Sequence, residues 1–214
     1  MNFRTIGNDY PLILASASPR RKRLLQQIGL PYLPLKSHVE ENQMPDVLAL
    51  QSPSPEIKPG EQACFLAEKK ARAVLPRSGN RWVLGADTIV VLGEKILGKP
   101  ADRLEAQYML LLLGGKEHRV ITGFCLIDPS GKSAHVEGVT TSVRVKRLTR
   151  EEIEAYIATG EPFGKAGSYA IQGIGAFLIE SISGSYTNVV GLPLCALVKA
   201  LIKAGAVNNF PLFQ

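Results

Sequence analysis

Apolar and polar positions fall along the chain in blocks, each with its own start and stop signals. Tyr10-Pro11-Leu12-Ile13-Leu14-Ala15 is short and almost wholly apolar and reads as a buried strand. Ser18 then has the character of an N-cap, with Pro19 at the first helical position, and Gly29 ends that helix near Ile28. Residues 51–60, rich in Pro and Ser, predict an exposed loop. Residues 61–75 have helical character, with Cys64/Phe65, Ala67/Glu68 and Ala71 at one-turn spacing and Pro76 as the stop. The β-branched run 82–91 predicts a central strand pair, or one strand bent at Gly85. Capping boxes at Asp102–Glu105 and Thr149–Glu152 open two further helices, closed by Gly114-Gly115 and by Gly160. Strands are expected over 120–127 and 136–148, the second partly alternating (Val139, Thr141, Val143, Val145), and again over 173–181 and 185–190. A last apolar-faced helix is expected over 192–204, with Pro193 near its start. No internal repeat is present. Strands and helices are interspersed, so the class is α/β or α+β with a mixed sheet.

A chain of 214 residues makes one large domain or two small lobes sharing a cleft, and it can bury roughly 70% of its unfolded surface without staples. The 45% hydrophobic and 21% charged residues are those of an ordinary globular protein and argue against disorder. Cys64, Cys125 and Cys195 are scattered with no CxxC spacing, which points to a reduced compartment and away from a disulfide framework or a thiolate metal site. His38, His118 and His135 are equally dispersed and give no zinc spacing. Residues 1–10 contain no signal-like apolar stretch, and the longest apolar run, 109–113, is too short to span a bilayer. A cytoplasmic, membrane-free location is expected. The net charge of +6 suggests an anionic partner, nucleotide or nucleic acid, without choosing between them.

The chemistry concentrates in four places. In Ser16-Ala17-Ser18-Pro19-Arg20-Arg21-Lys22-Arg23 a strand ends, two hydroxyls follow, and a helix opens with four consecutive cations. Cations at a helix N-terminus are disfavoured by about 0.3–1 kcal/mol each unless an anion occupies the site. Free N–H groups, hydroxyls and two forked guanidinium groups would bind a polyphosphate; the alternative is a solvated basic helix face. Asp87, in Gly85-Ala86-Asp87-Thr88, is a carboxylate inside an apolar run. It must be paired, hydrogen-bonded or metal-bound, so it is either a Mg²⁺ ligand that orients or deprotonates water, or a structural aspartate. Glu40-Glu41, Lys70 and Gly98-Lys99-Pro100 could add oxygen ligands and point charges for phosphates, though each alone is ordinary surface chemistry. The glycine-rich stretch 164–175 allows close backbone approach, and Gln172 in it offers one acceptor and two donors, the complement of a thymine or uracil N3–H beside a carbonyl. The alternative there is a loop leading into the strand over 176–179.

Taken in order, LASASPRR (14–21), EE (40–41), LAEKKA (66–71), GADTIV (85–90), LGKP (97–100), HRVITG (118–123), GKAGSYAIQG (164–173) and GSYTNVVGLPL (184–194) closely resemble the Maf family of nucleotide pyrophosphatases. The resemblance runs over residues 13–201. It implies one α/β domain over 1–214, a mixed twisted sheet with flanking helices and two lobes around a deep cleft. The implied activity is hydrolysis of a nucleoside triphosphate to the monophosphate and pyrophosphate with a divalent cation, Mg²⁺ or Mn²⁺. By the same resemblance Asp87 is the proton acceptor and, with Glu41, a metal ligand. Ser16, Arg20, Arg21, Lys70, Lys99 and Lys165 are substrate-binding residues. Arg21, Thr88 and Gln172 resemble the dTTP/UTP branch and differ from the branch acting on 7-methyl-GTP. Gly164 departs from the family, which usually has Asp before Lys-Ala-Gly, and this loosens the nucleobase assignment.

These readings predict attack of water on the α-phosphorus, with Asp87 as base and the cations stabilising the departing pyrophosphate. The competing class is a non-enzymatic, nucleic-acid-binding regulator of cell division. Against it stand the absence of a nucleic-acid motif and an aromatic content of only 7%, too low for a stacking platform. The oligomeric state is open, a homodimer included.

Overall fold

The structure, a computed structural model, describes residues 3–37, 39 and 58–212. Strand β1 (Leu12–Leu14) is three fully buried apolar residues with parallel neighbours on both sides. On one side Leu12 pairs with Tyr32 of β2 (Tyr32–Pro34), and on the other Leu14 pairs with Leu84 of β3 (Val83–Leu92). Parallel neighbours need a crossover, and α1 (Pro19–Gln27) supplies the one from β1 to β2. The connection from β2 to β3, which contains α2 (Pro59–Arg72), reaches the opposite side of β1. Strand order therefore reverses between β1 and β3, the place where open α/β sheets bind ligands at their carboxyl ends.

β3 turns into β4 (Lys95–Leu97), pairing Val90 with Leu97, and α3 (Arg103–Leu113) follows. Strands β5 (Glu117–Ile127) and β6 (Ser133–Val145) come next, then α4 (Arg150–Ala158). β7 (Ile179–Ser183) is antiparallel to β6, with a register shift between Arg144 and Val145. Helices α5 (Tyr186–Val190) and α6 (Leu194–Lys203) end the chain's regular structure. Among the described residues the sheet has seven strands, in the order β2-β1-β3-β5-β6-β7 with β4 on β3. The expected α/β class with a mixed sheet and flanking helices is what forms.

The chain divides into two compact units. One comprises Met1–Asp87, Gly123–Gly138 and Leu194–Gln214, and the other Thr88–Thr122 and Val139–Pro193. In the first unit α2 presents Ala63, Ala67 and Ala71, four residues apart and all buried. They lie on two sheet glycines. A Cβ on Gly85 would stand 2.1 Å from the Ala67 carbonyl oxygen and 2.8 Å from the Ala71 nitrogen, and one on Gly123 would stand 2.3 Å from the Ala63 carbonyl carbon. Helix and sheet thus meet backbone to backbone. The second unit packs the inner faces of α3 (Ala106, Met109, Leu110) and α4 (Ile153, Tyr156, Ile157) into one core.

Several expectations change. β3 is one continuous strand of ten residues, and Gly85 serves close helix approach rather than a bend or a break into a pair. Residues 173–178 form a 3₁₀ turn (Gly173–Leu178), and only Ile179–Ser183 is strand. The β-branched run 185–190 is not a strand but α5: Ser185 caps it by accepting from the Asn188 nitrogen at 3.2 Å, and Gly191 closes it at φ 126. Short-range capping overrides β propensity there. Pro76 lies within a 3₁₀ turn (Leu75–Arg77) after α2 has already ended at Arg72. The Thr149 capping box has both arms. The box at Asp102 has one, since Glu105 Oε2 accepts from Ala101 N at 2.7 Å. Most of the expected 51–60 loop lies outside the described residues.

Gly85→Ala should destabilise the protein by about 2–3 kcal/mol or more, because the added methyl meets backbone that cannot swing away. Chemical denaturation checks this, and a change below about 0.5 kcal/mol would show that α2 can lift off β3 freely.

Candidate functional site

At the carboxyl end of β1 the chain turns through Ser16, Ala17 and Ser18 into α1. Ser18 is the N-cap, its Oγ accepting from the Arg21 nitrogen at 3.5 Å, and Pro19 opens the helix. Ser16 Oγ accepts from Ser18 N and from Arg21 Nη1, both at 3.2 Å. Ser16 and Arg21 are therefore buried together, the guanidinium folded back onto the turn. Arg20 is half-buried, and burial lowers its pKa from the ordinary arginine value. Lys22 is half-buried and Arg23 exposed. No acidic residue stands in the first turn of α1. The result is a helix start with its amide dipoles, two hydroxyls and two arginines, the arrangement that favours an anion.

Asp87 lies two residues beyond Gly85 and so on the same face of β3, the face that meets α2. Lys70, adjacent to Ala71 on α2, puts Nζ 2.5 Å from Asp87 Oδ1. Both are buried, at 7% and 5% exposure. A buried carboxylate in an apolar strand demands such a partner. The ammonium, expected among the phosphate contacts, holds Asp87; its three donors leave it able to serve a second acceptor as well.

For a divalent cation, Asp87 supplies carboxylate oxygens of the hard type such ions prefer. Among the described residues no group of three or more His, Cys, Asp or Glu is placed to hold a metal. A carboxylate of this kind is the donor that Mg²⁺ takes together with substrate phosphates. Glu40 and Glu41 lie outside the described residues.

The second unit begins at Thr88. Its Oγ1 is 3.0 Å from Thr122 Oγ1, which donates to the Asn188 carbonyl oxygen at 3.0 Å. The fully buried Asn188 in turn donates through Nδ2 to Val120 O and Thr141 Oγ1, at 3.0 and 2.9 Å. Lys99 is exposed on the turn after β4, and Lys165 is half-buried. Their loops are tied by the Gly167 nitrogen donating to Gly98 O at 2.9 Å. Lys165 Nζ donates to the Glu161 carbonyl oxygen. Gln172 precedes the 3₁₀ turn and makes no side-chain capping bond to it. At Gly164 φ is +73°, a conformation an aspartate would occupy only with strain.

Three features escaped the sequence reading. His118 Nε2 lies 2.7 Å from Tyr169 Oη, joining β5 to the glycine-rich stretch. Asn188 organises the threonine chain from the middle of α5. Glu161 gathers the amides of Ile174 and Gly175. For Glu161 the signal was present: Gly173 and Gly175 flank Ile174, and side chains at either would collide with that carboxylate.

A sheet whose order reverses beside an arginine-bearing helix start, with a buried carboxylate on the adjoining strand held by a helix lysine, defines an open α/β sheet with polar groups gathered at its switch point. The chain belongs to the Maf-like protein family, whose model matches residues 11–204. It is 48% identical over 205 residues to a dTTP/UTP pyrophosphatase of Syntrophotalea carbinolica, covering 95% of this chain and 89% of that protein. It is 48% identical over 192 residues to a dTTP/UTP pyrophosphatase of Ruminiclostridium cellulolyticum, covering 90% and 95%. A solved nucleoside-triphosphatase / dITP/XTP pyrophosphatase of Mycobacterium abscessus resembles it distantly, at 13% identity and a TM-score of 0.37, over 64% of this chain and 74% of that one. Among the described residues no helix is long and apolar enough to cross a membrane.

Burial lowers the His118 pKa to about 4, from 6.5. Between these values the unfolded chain binds a proton that the folded chain excludes, so stability falls as pH drops through that window. The effect is on the order of 3 kcal/mol, complete below about pH 4. Urea denaturation at pH 7 and pH 4 should show this loss in the wild type and a smaller one in His118→Asn. Equal losses would remove His118 as the cause.

Proposed function

We propose that this chain is a nucleoside triphosphate pyrophosphatase of the cytoplasm that hydrolyses dTTP and UTP to the monophosphate and pyrophosphate. The observation that carries the chemistry is Asp87, a buried carboxylate held by Lys70 on the strand beside the α1 arginines. The base preference is supported by the names of relatives that align over nearly the whole chain. Arg21, Thr88 and Gln172 are the residues read as setting it.

In this reading a water attacks the α-phosphorus, a bond forms from its oxygen to phosphorus, and the bond to the pyrophosphate oxygen breaks. Asp87 positions that water and accepts its proton, and Lys70 keeps the carboxylate oriented. Ser16 with Arg20 and Arg21 at the start of α1, together with Lys70, Lys99 and Lys165, bind the triphosphate and stabilise charge gathering on the leaving group. A divalent cation, Mg²⁺ or Mn²⁺, held by Asp87 and Glu41, would offset charge on the phosphate oxygens.

A pyrophosphate-release assay over a nucleotide panel with Mg²⁺ or Mn²⁺ tests the activity: release from dTTP and UTP in preference to purine nucleotides is expected, and none from any nucleotide would sink the reading. Asp87→Asn should lower turnover by roughly a hundredfold or more while nucleotide binding, followed by calorimetry, persists. Near-normal turnover in that variant would remove Asp87 as the base.

A further inference from the structure

We infer that Glu161 is the positioning residue that fixes Gln172, and that it thereby sets the nucleobase preference proposed above. Glu161 lies after α4, in Gly160-Glu161-Pro162, where sequence alone suggests a solvated turn. Its side chain instead faces inward and accepts three hydrogen bonds. Oε2 accepts from Tyr156 Oη at 2.9 Å and from Gly175 N at 2.6 Å, and Oε1 accepts from Ile174 N at 3.1 Å. Its backbone oxygen accepts from Lys165 Nζ. Tyr156 Oη in turn accepts from Ala170 N at 3.2 Å. Burial, and then the bond to Glu161, push the Tyr156 phenol's pKa up, which keeps it a donor to that carboxylate.

These bonds fall at Lys165, Ala170, Ile174 and Gly175, so Gln172 sits on a short span held on one side by the Glu161 carboxylate and on the other by Tyr156, which is itself bonded to that carboxylate. The fit leaves no room for an alternative packing. A Cβ on Gly173 would stand 2.2 Å from Glu161 Oε1, and one on Gly175 would stand 3.0 Å from Oε2 and 2.5 Å from Tyr156 Oη. The 3₁₀ turn Gly173–Leu178 has no side-chain cap from Gln172, and the Glu161 carboxylate satisfies its leading amides in that role's place. Gln172 is thereby released from capping, its amide available for a ligand. Both the acceptor and the donors that a thymine or uracil edge requires depend on the backbone at 172 being held at one angle.

Glu161→Gln is nearly isosteric but replaces one acceptor oxygen by a donor, so one of the three donors facing it loses its partner. The test is steady-state pyrophosphate release with dTTP, UTP, GTP and ATP for the wild type, Glu161→Gln, Glu161→Asp, Tyr156→Phe and Gln172→Ala. For Glu161→Gln the ratio of kcat/KM for dTTP over GTP should fall roughly tenfold, mostly through KM for dTTP, as loss of a charged hydrogen bond implies. Glu161→Asp, which keeps both oxygens, should recover part of that ratio. Amide exchange at Ile174 and Gly175 should accelerate by about tenfold in Glu161→Gln.

This inference rests on Gln172 reading the base, and Gln172→Ala separates the two. Lost preference in Gln172→Ala with wild-type preference in a folded Glu161→Gln overturns the positioning role alone. Unchanged preference in Gln172→Ala overturns the base-reading role and the positioning role with it. Should Glu161→Gln fail to fold, Tyr156→Phe carries the test, since it removes one donor and leaves the carboxylate. An unchanged dTTP-over-GTP ratio there overturns the proposal, and a fall of about threefold supports it.

Discussion

A carboxylate in the middle of an apolar strand survives only if a cation can come close enough to bond it, and here the cation arrives on a helix. Lys70 meets Asp87 because Ala63, Ala67 and Ala71 let α2 lie directly on the backbone of Gly85 and Gly123. The desolvation of two such ions amounts to several kcal/mol each, so the pair is poor evidence for stability. Its value is geometric. A buried, hydrogen-bonded carboxylate has one orientation, which the role proposed for it as a general base requires.

The start of α1 poses the opposite problem. Arg20 and Arg21 stand where the helix dipole is positive, with no carboxylate in the first turn to balance them. Ser16 absorbs part of the difficulty by accepting from Arg21, and parallel pairing of β1 with β3 brings this turn to the strand that carries Asp87. The cations of the basic run divide accordingly: Arg21 buried, Arg20 and Lys22 half-buried, Arg23 exposed on the helix face.

Local signals in the sequence were read well where they were self-contained. Ser18-Pro19 and Gly29 bound α1, and Thr149 with Glu152 opens α4, because caps are decided within four residues. The sequence misled where distant partners decide. Val189 and Val190 look like strand, but Ser185 caps the turn locally while Asn188 is bound to Val120 and Thr141 far along the chain. Gly85 looked like a bend because nothing local reveals a helix backbone pressed against it. The residues of the candidate site were legible only as blocks in a familiar order; spacing alone left Asp87 and the α1 arginines each with an ordinary alternative. Glu161 left only the glycines at 173 and 175 as a trace, since the amides its carboxylate binds lie more than ten residues away.

The glycine–alanine contact also fixes where along its axis α2 can sit. Advancing a helix by one residue shifts it by about 1.5 Å and turns it by roughly 100°. Such a step would bring Leu66 or Glu68 to the place where Ala67 meets Gly85, and neither fits against bare backbone. Contacts between side chains can repack to absorb a slip of this kind, but contact between two main chains cannot. The helix therefore has a single seat on the sheet, and the ammonium it carries is indexed to one carboxylate.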